Sequence, residues 1–159
     1  MTVVAVFLAA LAAFAIPNYM ESVERARIAR AMGDIHVIQR NTHEYYLSNG
    51  SYPNSLHDIG MGDLTDAWGN SYAYLAVEGA QTEDLRKDRL GTPLNSDFDL
   101  YSRGPDGQSD PLLTASVSRD DIIRGLNGSF VGIPTDSLSA PLPGPDQGRP
   151  GLRVLPPKR

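Results

Sequence analysis

"AIPNYMESVERARIARAMGDIHVIQRNTHEYYLSNG", Ala15 to Gly50, decides the fold. No Gly or Pro interrupts it between Asn18 and Met32. Ile28, Ala31, Ile35, Ile38, Thr42 and Tyr45 recur at spacings of three and four, which lines one side of a helix with apolar residues. Asn49-Gly50 supplies a stop, because glycine readily takes the left-handed conformation that ends helices. The spacing therefore predicts one long amphipathic helix over residues 18–50.

Upstream lies "VVAVFLAALAAFAI", residues 3–16, without a polar side chain. As a helix it would span about 21 Å, against the ~20 residues that a membrane crossing requires. Pro17 joins the two segments. A proline inside a helix removes one backbone hydrogen bond and kinks the helix without necessarily ending it. The expectation is an apolar half-helix over 1–17, bent near Pro17 and continuing into the amphipathic half. Two readings compete with it: a buried core helix, which a domain this small can scarcely cover on all sides, and a signal peptide cleaved after "AFA", for which the basic opening residues are not present in Met1-Thr2.

Downstream, "GSYPNSLHDIG" reads as a turn whose Leu56 and Ile59 pack back on the helix. "DAWGNSYAYLAV", from Asp66, reads as a turn into a strand. "DFDLYSRG" alternates Phe98, Leu100 and Ser102 with Asp97, Asp99, Tyr101 and Arg103, which predicts a second strand. The polar insert between them, "EGAQTEDLRKDRLGTPLNS", would make the two strands antiparallel if it is a hairpin connection. The fold class is thus α+β: a long N-terminal helix packed on a small antiparallel sheet. The head is expected over 51–134, and the Pro/Gly-rich stretch 135–159 is expected to be disordered.

Composition narrows the function. The 159 residues carry a net charge of -5, which argues against a nucleic-acid partner, since such affinity rests on clustered Lys and Arg. Cysteine is absent, so thiol catalysis and disulfide scaffolds are excluded. The sequence has no G-x-S-x-G, no Walker A loop and no G-x-G-x-x-G. His36 and His43 lie seven residues apart, too far to chelate as an i, i+4 pair, and read with His57 as exposed polar positions. No enzyme is predicted.

The acidic loop offers a second kind of chemistry. Asp106 sits between Gly104 and Gly107, and Asp120-Asp121 follows at the end of the same loop. Three carboxylates on a glycine-containing loop suit a hard cation, which takes 6–8 oxygens from carboxylates and backbone carbonyls. The alternative is an ordinary P-D-G turn, with Ser118-Arg119-Asp120-Asp121 starting a helix.

Several strings together resemble a known family. Ala15-Ile16-Pro17 before an amphipathic helix is similar to the N-terminal step of type IV pilins and secretion pseudopilins. "D-x-W-G-N-x-Y-x-Y" at Asp66–Tyr74 and "D-x-Y-S-x-G-x-D-G" at Asp99–Gly107 resemble hallmarks of the major pseudopilins of type II secretion systems. The likeness covers about residues 1–132. The leader, cleavage glycine and early Glu of that family do not appear ahead of the helix. The resemblance implies a structural subunit that self-associates into a helical filament by packing its N-terminal helices. It implies an inner-membrane anchor with the head in the periplasm, and minor pseudopilins and an inner-membrane secretion platform as partners. It also implies one structural Ca²⁺ in the acidic loop. The matching positions are Asp106, Asp120 and Asp121, with the Arg103 carbonyl and with Ser109 or Ser118 adding oxygens. A surface type IV pilin and a secreted calcium-stabilised binding module are the alternatives.

Overall fold

A computed structural model describes the backbone of residues 2–134 and the side chains from residue 19 onward. The predicted tail, 135–159, lies outside the described residues. Helix α1 runs over Thr2–Asn49 without interruption at Pro17. At 48 residues it is about 72 Å long. It ends where the sequence signals: Gly50 takes φ 74° and its N–H bonds to the Tyr46 carbonyl at 2.8 Å. Among the described residues no helix is long and apolar enough to cross a membrane. The side chains of the apolar run 3–16 lie outside that description.

Four antiparallel strands follow, in spatial order β1-β2-β3-β4: Ala73–Ala76, Phe98–Ser102, Ile122–Gly125 and Phe130–Gly132. Two were anticipated. β3 corrects the helix-start reading of "SRDDIIRG": only Ser116–Ser118 makes a single 3₁₀ turn, and Ile122–Gly125 pairs with β2 and β4. The reason is local. Two β-branched isoleucines here pack on opposite faces of a sheet, a demand that period-two structure meets.

The helix covers one face. Ala31, Ile35 and Ile38 are fully buried against Phe98, Leu100 and Ile122, with Leu56 and Ile59 closing the side as their sequence suggested. Tyr72 donates to Asp34 at 2.9 Å, tying the start of β1 to the helix. Burial and the bonded Asp34 carboxylate push the Tyr72 phenol far up from its ordinary pKa. The three histidines are exposed, as read from their spacing.

The insert joins β1 to its antiparallel neighbour β2, as expected of a hairpin connection, but it is more than a turn. It folds onto the sheet's other face, where Leu94 and Leu113 pack on Ile123 and Tyr101. Within it, Asp88 accepts bonds from the N–H groups of Leu90 and Thr92, both at 2.8 Å. Asp66 accepts from Trp68 and Asn70 in the same way, at 3.0 and 2.8 Å. "DAWGN" and "DRLGT" are therefore the same turn, each with glycine at positive φ in fourth place.

Truncating a residue at the helix–sheet contact tests this packing. Ile35→Ala should lower stability by about 2–5 kcal/mol, whereas Leu47→Ala, at an exposed position, should stay within about 0.5 kcal/mol. Urea midpoints of the two variants measure the difference.

Candidate functional site

The acidic loop begins where β2 ends, and both sequence strings meet there. Asp66 Oδ2 accepts the Ser102 hydroxyl at 2.6 Å. Ser102 Oγ in turn accepts the Gly104 N–H at 3.1 Å. Asn70 donates its side-chain amide to the Gly104 carbonyl at 2.8 Å. The turn that Asp66 opens thus holds the first residues of the loop through the buried Asp66–Ser102 pair and the half-buried Asn70. Gly104 is required twice over: its φ is +63°, and a Cβ there would lie 2.4 Å from the Asp120 carbonyl oxygen.

The loop's own acids diverge. Asp106 is exposed and spends Oδ1 on the Gln108 N–H at 2.8 Å, the ordinary turn role of aspartate. Asp120 meets Asp106 only through a long contact, 3.4 Å from the Asp106 N–H to Oδ2. Asp121 is fully buried and turns elsewhere: Oδ2 accepts Ser109 Oγ and Arg86 Nη2, both at 2.6 Å. Ser118 Oγ bridges the Asp110 N–H and carbonyl, each at 2.9 Å. Arg103 is exposed. Burial drives the Asp121 carboxyl upward from the usual carboxylate range, although Ser109 and Arg86 act the other way.

Arg86 is the residue that the sequence reading missed. Its side chain is 2% exposed and lies under the loop. The guanidinium reaches Asp121 Oδ2, the Asp110 carbonyl at 2.8 Å, and the Ser109 hydroxyl. It stacks on the Tyr101 ring, 4.2 Å from the centroid. Its own backbone N–H donates to Asp99 Oδ2 at 2.7 Å, so β2 fixes where the side chain starts. Burial raises the Asp99 carboxyl, against the bonds from Asn95 and Arg86 that favour its charge.

These positions bear on a Ca²⁺ sphere. Among the described residues no three His, Cys, Asp or Glu side chains gather closely enough to hold a metal ion. At this site one buried oxygen, Asp121 Oδ1, and one buried nitrogen, Arg86 Nε, have no hydrogen-bond partner. Two of the oxygens expected around a cation, Ser109 Oγ and Asp121 Oδ2, already surround a guanidinium. As arranged, the donor set does not fit a hard divalent ion.

A second buried arginine sits on the helix face. Arg124 grips Asp97 with two nitrogens at 2.8 and 2.6 Å, bonds to Gln39 of α1 at 3.0 Å, and stacks 3.9 Å from the Phe98 ring centroid. Burial opposes ionisation of Asp97, but the Arg124 bonds and the Phe98 N–H outweigh it and hold the carboxyl below its usual range.

Two measurements check this geometry. Gly104→Ala should cost more than about 1 kcal/mol and exceed Gly91→Ala, since only Gly104 adds a backbone clash to its positive φ. Asp97 has its folded pKa lowered, so its stabilisation is present above the ordinary Asp pKa and is lost as pH falls through the folded value. Asp97→Asn should therefore flatten the acid limb of the stability–pH curve, read as denaturant midpoints between about pH 5 and pH 2.

The likeness to known proteins follows the same residues. The profile of the family described as "Type II secretion system (T2SS), protein G" matches residues 18–117. The type II secretion system core protein G of Pseudomonas aeruginosa is 32% identical over 127 residues, covering 67% of this chain and 79% of the relative. No solved structure gives a significant match. The matched span takes in most of the amphipathic helix, the Asp66 turn, the first two strands and most of the acidic loop, and on that basis the chain belongs to the type II secretion system protein G family.

Proposed function

We propose that this chain is a structural subunit of the type II secretion pseudopilus, assembling with copies of itself through its N-terminal helix. The observation that carries this is the helix's excess length over its head. Packing of α1 on the core begins at Ile28. Ahead of it Tyr19 is 71% and Met20 66% exposed, on a helix that continues back to Thr2. A monomer gains nothing from an apolar surface such as Tyr19 and Met20 that its own head does not cover. Lateral packing against the helices of neighbouring copies covers it, and a heterologous contact of that kind repeats into a filament.

Charges flank this stretch. Glu21 and Arg25 pair at 3.6 Å, and Glu24 and Arg27 at 3.5 Å, all on solvated surface. Such pairs contribute little to the stability of one chain but suit register between neighbours. The apolar run 3–16 anchors the subunit in the inner membrane before assembly, with the head in the periplasm. Minor pseudopilins and an inner-membrane platform are the partners this reading requires. The role is mechanical rather than catalytic. The family match favours a secretion filament over a surface type IV pilus.

Electron microscopy of cells producing the chain tests the reading: short periplasmic filaments are expected, and long surface fibres point to a pilus instead. Tyr19→Glu with Met20→Glu should abolish filaments while moving the head's melting temperature by less than about 2 °C, since neither side chain packs on the core. Filaments that persist in this variant would place the assembly contact elsewhere.

A further inference from the structure

We propose that the acidic loop is closed by an internal cation, the Arg86 guanidinium, and that the folded head needs no calcium. This is independent of the filament reading and concerns the head alone.

The argument starts from charge. Asp121 is fully buried, and its Oδ2 accepts from a hydroxyl and a guanidinium, not from the backbone N–H groups that serve the buried Asp66, Asp88 and Asp99. A bound cation or a basic side chain can supply positive charge to it under a loop. The insert delivers the second. Lys87 N–H bonds to the Pro111 carbonyl at 2.8 Å, and the Leu113 N–H returns to the Lys87 carbonyl at 3.1 Å. The backbone on either side of Arg86 is thus tied down: the Arg86 N–H to Asp99, its neighbour Lys87 to the acidic loop. The side chain then enters the loop already positioned.

Its geometry suits the site better than a point charge would. A planar guanidinium presents donors in a fixed fork and stacks on an aromatic face. Here the fork divides between Asp121 Oδ2 on one nitrogen and the Ser109 hydroxyl and Asp110 carbonyl on the other. Tyr101 supplies the aromatic face. One cation therefore joins the middle and the far end of the loop, residues 109–110 and 121, to β2 and the insert. That is the closure a metal would otherwise provide. A divalent ion placed beside this guanidinium would meet a fixed positive charge in a buried site, at a distance where repulsion is strong. Asp106 and Asp120, the acids that stay nearer solvent, are left to turn and surface roles.

The test uses the full chain in mild detergent. Melting temperatures are compared in EDTA and in millimolar CaCl₂, and calcium binding is followed by equilibrium dialysis. The expected result is the same melting temperature within about 1 °C and no saturable one-per-chain binding. Arg86→Met, which keeps the length and removes the charge, should lower the melting temperature by about 10 °C. Adding Asp121→Asn to that variant should recover part of the loss, because the stranded carboxylate is gone. Saturable binding of one calcium, or a rise of several degrees with calcium, overturns the proposal. So does an Arg86→Met variant that melts like the parent. Should that variant fail to fold, the calcium titration of the unaltered chain decides alone.

Discussion

Strand β2 must be buried on both faces, and the rest of the head is arranged to meet that requirement. Phe98 and Leu100 point to the helix, while Asp99 and Tyr101 point away from it. A single long helix can cover only one side of a four-stranded sheet. The other side would leave Tyr101 and Ile123 in water, about 25 cal/mol for each Å² of apolar surface left uncovered. The insert between β1 and β2 supplies the missing layer, bringing Leu94 onto this face, while the acidic loop brings Leu113. Both segments look polar in sequence, yet each buries a few side chains: Leu85, Arg86 and Leu94 from the insert, Leu113, Ser118 and Asp121 from the loop.

Covering the second face with polar chain requires that its charges be matched. Each face of the sheet solves this alike. An arginine stacks on a β2 aromatic and grips an aspartate at 2.6 Å: Arg124 with Phe98 and Asp97 on the helix side, Arg86 with Tyr101 and Asp121 on the other. Buried ion pairs of this kind add little net stability over an apolar substitute, but breaking either one strands a charge. Their effect is to specify which segments dock where. Arg124 fixes β3 against Gln39 of the helix, and Arg86 fixes the loop against the insert. The sheet and its covering loops form the head, and the helix runs on beyond it to Thr2.

Much of this was legible in the sequence. The period of Ile28, Ala31, Ile35 and Ile38 reports a helix face directly, because helical periodicity is local. Asn49-Gly50 marked its end, and Leu56 and Ile59 packed where turn chemistry put them. The strings "DAWGN" and "YSRGPDG" signalled tight turns, and their hydrogen bonds bear that out. β3 was obscured because serine and aspartate ahead of an apolar pair serve a helix start and a strand entry equally well. β4, three residues long, leaves no periodic signal at all.

The sequence by itself determined the long helix, the antiparallel pair β1–β2, the turn residues and the kinship they carry, since each depends on residues near one another in the chain. Only the tertiary structure decided what pairs with the loop's buried acid, Asp121. Asp121 and Arg86 are 35 positions apart and meet at 2.6 Å because the insert folds back under the sheet. No local pattern records that meeting. The charge of the loop could be read from its aspartates, but the identity of its counter-ion is a property of the fold.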